Sequence, residues 1–395
     1  MSSLGFMSRP LDVALVTGPG PWPPRTRTRW TSPTPSCCRG AWPGTPEAIG
    51  AWLEGVTWRP VLALLHVAPY LGEVLSTAKS PLELLLPWNL ALLVPLYGGG
   101  ALLCRELAHR WGLGLPGLAL LGAAYGVYEE ALVDRFWFDQ RYADATGVGG
   151  YGQVWRTNVL LAAHLTAFHA AVSICASILI VTWLFPDCRD RTWVGGRGLV
   201  ATGIAMLLVL VVTYEDYVRP PSGPLTAACV ALASLVAAAS RTRRGARRSP
   251  RTSGTRRRSL LLGLVAFTCT AAHFVLTYAV PSTGLPWPAG LVVALSPIGA
   301  GVVAVRCLAT TGPLGHDGLW VVTGILGFFI LLDAFVGLGG RYDLTIGAPF
   351  AALFLAWLHR RLGASAVPTS PGAGTVSPGA GPVGSPARRP PRRRP

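Results

Sequence analysis

"GAAYGVYEEALVDRFWF", Gly122–Phe138, closes an apolar run that ends on two adjacent carboxylates, Glu129 and Glu130. The run covers about 20 residues, the length a helix rising 1.5 Å per residue needs to cross roughly 30 Å of hydrocarbon. Similar runs recur along the 395-residue chain, which is 51% hydrophobic and 13% charged. Its mean hydropathy is +0.44. This composition excludes an ordinary soluble domain and points to the membrane class. Long alternating segments of the kind that build a barrel are absent from the sequence. In lipid, the remaining way to satisfy every backbone group is the helix. The expected fold is therefore all-α, a polytopic transmembrane helical bundle.

The apolar runs predict about ten spans, near 57–76, 84–104, 112–133, 157–185, 197–214, 223–240, 259–280, 286–305, 317–338 and 344–358. Residues 1–50, with "GPGPWPPRTRTRWTSPTPSCCRGAWPGTP", form a Pro/Arg-rich leader expected to be disordered. It lacks the apolar stretch of a cleavable signal peptide. Residues 51–364 form the transmembrane helical domain. The tail, 365–395, is rich in Pro, Gly and Arg and is expected to be a disordered cytoplasmic segment.

Net charge is +16, nearly all from arginine, with Lys79 the only lysine. These arginines sit in short loops and tails between apolar runs. That distribution reads as a topology signal with contact to membrane lipids, and not as a nucleic acid surface. "RTRRGARRSPRTSGTRRR" between the sixth and seventh runs is the strongest cytoplasmic mark. Alternating outward from it places "CRELAHRW" and "PDCRDRTWVGGR" inside, "YEDYVRPPSG" outside, and both termini in the cytoplasm. No loop assigned to the outside carries a cysteine, so a disulfide framework is not indicated.

Ionisable side chains within apolar runs are costly and usually face a bundle interior. On this topology Glu129 and Glu130 lie about 5 Å from the outer end of the third run. His164 and His169 of the fourth run lie about 10 to 20 Å below the outer boundary, and His273 of the seventh about 10 Å below it. Glu73, Asn89 and Asp333 share the outer half, and His66 falls nearer the middle. One outward-opening polar cavity accounts for this common depth.

On a regular helix Glu129 and Glu130 point about 100° apart, so one faces the cavity while the other pairs with Arg135 or a neighbouring helix. His164 and His169, five apart, are poorly spaced for one metal on a straight helix. A carboxylate joined by histidines from different helices could bind Zn or activate a water. The candidate catalytic residues are Glu129, Glu130 and Arg135, with His164, His169 and His273 as candidate metal ligands; the cofactor is not assigned, with Zn as the candidate. The same residue types also make proton relays. Two readings stay open: a metal-assisted intramembrane hydrolase or protease, and a proton-coupled small-molecule transporter. A lipid-linked transferase and a non-catalytic membrane scaffold are further alternatives. The substrate is not legible.

"YEEALVDRFWF" resembles the first motif of the CAAX-protease and bacteriocin-processing family of intramembrane proteases. In that resemblance Glu129 and Glu130 match the glutamate pair that activates water. Arg135 matches the arginine, one residue beyond the usual spacing. His169 in "HLTAFHAAV" matches the second-motif histidine, with Leu165 in place of phenylalanine. His273 in "HFVLT" matches the third, with Thr277 where asparagine often stands. The resemblance covers residues 113 to 280. The remainder resembles uncharacterised actinobacterial membrane proteins.

The loop charges give a direct test. Reporter fusions placed between Arg241 and Arg258 and immediately after Pro220 should report opposite sides of the membrane. The same side for both would remove the assignment.

Overall fold

The computed structural model describes residues 56–242 and 256–364. The leader, most of the arginine-rich loop and the tail lie outside the described residues. Helix dominates the rest. Trp58–Pro69 (α1) continues through a π-helical turn, Tyr70–Val74, and a short helix Pro81–Leu84 (α2) follows. Ser80 and Glu83 start α2 as a capping box, each side chain bonding the other's backbone N–H.

Pro87–Leu93 (α3), a π turn at Val94–Gly98 and Gly99–Arg110 (α4) form one continuous rod. Leu115–Val127 (α5) runs into a π turn at Tyr128–Val133. Next come a short helix, Gln140–Ala145 (α6), and a two-stranded hairpin. The hairpin pairs Gln153–Val154 (β1) antiparallel with Thr157–Asn158 (β2). Val159–Phe168 (α7), a π turn at His169–Ala176 and Ser177–Leu184 (α8) make the next rod. The chain then forms Gly196–Val212 (α9), Ser222–Arg241 (α10), Arg256–Ala279 (α11), Trp287–Leu308 (α12), His316–Leu338 (α13) and Gly347–Ala364 (α14).

A helix occupies each stretch expected to span. Six rods among the described residues are long and apolar enough to cross a membrane: 87–110, 159–184, 222–241, 256–283, 287–308 and 316–338. The expectation of about ten spans is not supported: by this measure the number is six. α9 is apolar but only 17 residues long. An all-α polytopic bundle is the architecture.

Two of the π turns adjoin prolines. Pro69 and Pro95 lack a backbone N–H and leave a carbonyl one turn back without its donor, so the helical hydrogen-bond ladder is already broken there. Tyr70–Val74 starts directly after Pro69, and Val94–Gly98 contains Pro95. Nothing local in the sequence explains the π turns at Tyr128–Val133 and His169–Ala176.

α5 sits at the centre, packed against α4, α7, α10 and the turn His169–Ala176. Gly122 and Gly126 permit the closest of these approaches. A Cβ on Gly122 would lie 2.9 Å from the Ala170 Cα, and one on Gly126 would lie 3.0 Å from the Thr166 Cα. This Gly-x-x-x-Gly pair lets two backbones meet where side chains would hold them apart. α10 and α12 bury few of their residues and show apolar faces suited to lipid.

A buried polar staple closes one end. Arg105 pairs with the adjacent Glu106 and donates to the carbonyls of Arg189 (3.2 Å) and Arg191 (2.5 Å). Glu106 also accepts from the Trp193 backbone N–H at 2.8 Å, and the Arg105 guanidinium lies 4.0 Å over the Trp193 ring. Removing one partner of a buried pair strands the other charge at a cost of about 3–5 kcal/mol. Glu106→Ala should therefore lower the thermal midpoint of the detergent-solubilised protein markedly. A midpoint within error of wild type would show that the staple is dispensable.

Candidate functional site

The two glutamates are not divided between different partners as a regular helix would require. Both reach His169. Its Nδ1 lies 2.9 Å from Glu129 Oε2, and its Nε2 lies 2.8 Å from Glu130 Oε1. The π turn that carries the glutamates changes their angular spacing, and their long side chains close on the ring from opposite edges. Ser173 Oγ stands 3.1 Å from Nδ1. Glu129, Glu130 and His169 are only 0%, 4% and 2% exposed, so the cluster is closed, and the outward-opening cavity expected from the sequence is not open here.

Each of the four π turns delivers a polar side chain to this neighbourhood. Tyr70–Val74 carries Glu73, Val94–Gly98 carries Tyr97, Tyr128–Val133 carries both glutamates, and His169–Ala176 carries His169 and Ser173. The Tyr97 ring packs directly on Gly72, the neighbour of Glu73. The rings of Tyr97 and Tyr125 stand 6.1 Å and 5.9 Å from that of His169. Small residues make room for both tyrosines. A Cβ on Gly72 would fall 2.3 Å from the Tyr97 ring, and one on Gly100 would fall 2.1 Å from that of Tyr125.

Neither tyrosine was singled out from the sequence. The signal available was the glycine run of "YGGG" and the spacing of "GAAYG", which mark close backbone approach without saying to what.

At Nε2, either the ring N–H donates to the Glu130 carboxylate or a glutamic acid donates to the bare nitrogen, and at Nδ1 the ring N–H or the Ser173 hydroxyl is the donor between those two groups. Glu129 Oε2 meets His169 at ion-pair distance but without the alignment of a hydrogen bond. Both Glu129 oxygens and Glu130 Oε2 therefore lack a hydrogen-bond partner among the described residues.

His164 and His273 form a second unit. His273 Nδ1 is 2.7 Å from the Ala294 carbonyl, which only accepts, so the proton sits on Nδ1. With that imidazole neutral, Nε2 accepts from His164 Nδ1–H at 3.0 Å. His164 Nε2 is then an acceptor for the Tyr278 hydroxyl at 3.4 Å. A directed chain runs from Tyr278 through both rings to the Ala294 carbonyl.

The three histidines thus do not form one ligand set. Two bond each other, and the third bonds Ser173 through Nδ1 and Glu130 through Nε2, with Glu129 at ion-pair distance from Nδ1. Among the described residues, no group of three or more His, Cys, Asp and Glu side chains is arranged to hold a metal ion. Arg135 does not reach the glutamates through a hydrogen bond. It has φ +57°, is buried, and donates to the carbonyls of Thr213 (3.1 Å) and Tyr214 (2.7 Å), tying the end of α5 to the end of α9.

Asp333 is buried elsewhere, against Gly347. His66 bonds back to the Leu62 carbonyl at 2.7 Å, and Asn89 to the Glu83 carbonyl at 2.6 Å.

Residues 62–305, more than half of the chain, match the model of a family described as an uncharacterized membrane protein family. The chain belongs to that family. No curated protein matches it. No solved structure matches it either. The comparisons give no support to the resemblance of "YEEALVDRFWF" to the CAAX-protease family, nor to an actinobacterial origin.

The geometry predicts a contact that can be trapped. In a protein stripped of its own cysteines, Glu130→Cys and His169→Cys together should be joined by a short bifunctional thiol reagent. A correctly inserted double variant that resists joining would contradict this packing of α5 on the turn at His169.

Proposed function

We propose that this family member is a proton-coupled small-molecule transporter whose proton site is the Glu129–His169–Glu130 unit. One observation carries the reading: both nitrogens of a buried imidazole face carboxylates, at 2.9 Å and 2.8 Å, on π turns where helices converge. Buried ionisable groups that share protons are the working parts of relays in membrane proteins. π turns are frequent at functional sites, and the proline-linked turns at Pro69 and Pro95 give α1 and α3 places to bend.

The proposal includes about ten spans, both termini cytoplasmic, and contact with membrane lipids along the apolar outer faces. The substrate is a small molecule of unassigned class.

The intramembrane hydrolase keeps a place as a second reading on one observation. Glu129 Oε1 and Glu130 Oε2 are buried acceptors without partners, as a water awaiting polarisation would need. His164 and His273 lie outside the pair and would act on a substrate, not on a shared metal.

A pH jump applied to proteoliposomes on an electrode separates the readings. Wild type should give a transient charge movement. Glu130→Gln and His169→Gln should each reduce it by about tenfold or more, since each removes a proton carrier from the unit. Unchanged currents in both variants, with normal insertion, would overturn the proton reading. Cleavage of a membrane-embedded peptide without charge movement would favour the hydrolase.

A further inference from the structure

The buried unit needs a way to exchange protons with water, and its own three residues are all closed off. We propose that Asp134 and Tyr217 form the proton gateway between the buried glutamates and the loop that joins α9 to α10. This rests on the proton-coupled reading.

Asp134 ends the π turn of the two glutamates. Its backbone N–H donates to the Glu129 carbonyl at 2.8 Å, the five-residue closure of a π turn, so Asp134 follows Glu129 along one face. Asp134 is partly exposed, unlike the glutamates. Tyr217 packs on the segment that follows Asp134: its ring meets that of Phe136 edge-on at 5.7 Å, and the Arg135 guanidinium lies 5.9 Å from its centre. Tyr217 is also half-buried and lies in the loop beside the exposed Glu215 and Asp216. Burial first, and Asp134 second, hold its phenol well above the ordinary tyrosine range, so it keeps its proton.

A second observation shows the inner end ready to receive. Glu129 is fully buried with neither oxygen hydrogen-bonded.

The step balances as a simple transfer. A hydronium ion at the loop gives its proton to the Asp134 carboxylate and leaves as water, and the acid then passes that proton to a Glu129 oxygen and returns to carboxylate. Tyr217 keeps its own proton throughout, as the polar neighbour of Asp134 at the loop.

The charged groups around Asp134 fit this role. Glu129, Glu130, Glu73 and His169 act on it from within the bundle, and Asp216 lies beyond Tyr217. The neighbouring Arg135 turns its guanidinium to the Thr213 and Tyr214 carbonyls and lies 4.9 Å and 5.9 Å over the Tyr214 and Tyr217 rings. That placement roofs the pair.

Glu73 is the rival outlet, because it too is partly exposed. The Tyr97 ring, packed on the adjacent Gly72, puts a phenol on its route inward.

The test is the time course of charge movement after a pH jump on proteoliposomes of the full chain. Asp134→Asn should slow the rise about tenfold or more while leaving its final amplitude, Asp134→Glu should restore the rate, and Tyr217→Phe should slow it less. Asp343→Asn, at an exposed carboxylate paired with Arg341, should match wild type. A wild-type rate in both Asp134→Asn and Tyr217→Phe overturns the gateway, as does slowing confined to Glu73→Gln. No charge movement in wild type overturns the proton-coupled reading and the gateway with it. If Asp134→Asn fails to insert, Tyr217→Phe alone decides by the same criterion.

Discussion

The His169 imidazole, closed between Glu129 and Glu130, sets the terms on which the bundle can pack. Burying a carboxylate away from water is expensive unless a partner compensates it, and here two carboxylates converge on one ring. That compensation works only at hydrogen-bond distance, so α5 must approach the rod containing α7 and α8 far more closely than two leucine-lined helices would. Gly122 and Gly126 permit the approach, with Ala170 and Thr166 backbone directly opposite. The rest of the arrangement around α5 follows from that contact.

The backbone adapts to the cluster as well as the side chains do. A regular helix would send adjacent glutamates in directions about 100° apart. The π turn at Tyr128–Val133 and the one at His169–Ala176 bring both carboxylates and both ring nitrogens into register. Interrupted helical hydrogen bonding is tolerated in a membrane only where protein or polar groups surround it. The π turns here lie in buried stretches of α-helical rods and not on the lipid-facing helices α10 and α12. Polar chemistry and irregular backbone thus share the centre, and uniform apolar helices form the outer wall.

Two polar staples outside the cluster hold ends of the bundle together by a different logic. Arg105 with Glu106, and Arg135 with the Thr213 and Tyr214 carbonyls, spend their donors on backbone oxygens of neighbouring loops. Arg135 satisfies carbonyls at the C-terminal end of α9, and Arg105 satisfies carbonyls of the loop that leads into it. Arg135 illustrates how a residue next to acidic side chains in the sequence can serve a different segment, because its left-handed backbone turns it away from the preceding helix.

The sequence alone determined the membrane class and the positions of the helices. Those depend on the length and apolarity of each run, which are local properties. Every stretch expected to span is helical, though only six rods meet the length and apolarity measure. It also singled out Glu129, Glu130, His164, His169 and His273, because an ionisable group in an apolar run is conspicuous at any fold. The tertiary structure decided how they are grouped. His169 joins the glutamates, while His164 joins His273, from a helix more than 100 residues away in sequence. Tyr97 and Tyr125 were invisible because a tyrosine in an apolar run looks like core until a glycine on the facing helix shows the space made for it. The π turns at Tyr128–Val133 and His169–Ala176 were equally invisible, since no proline marks them and their register is set by contacts between helices.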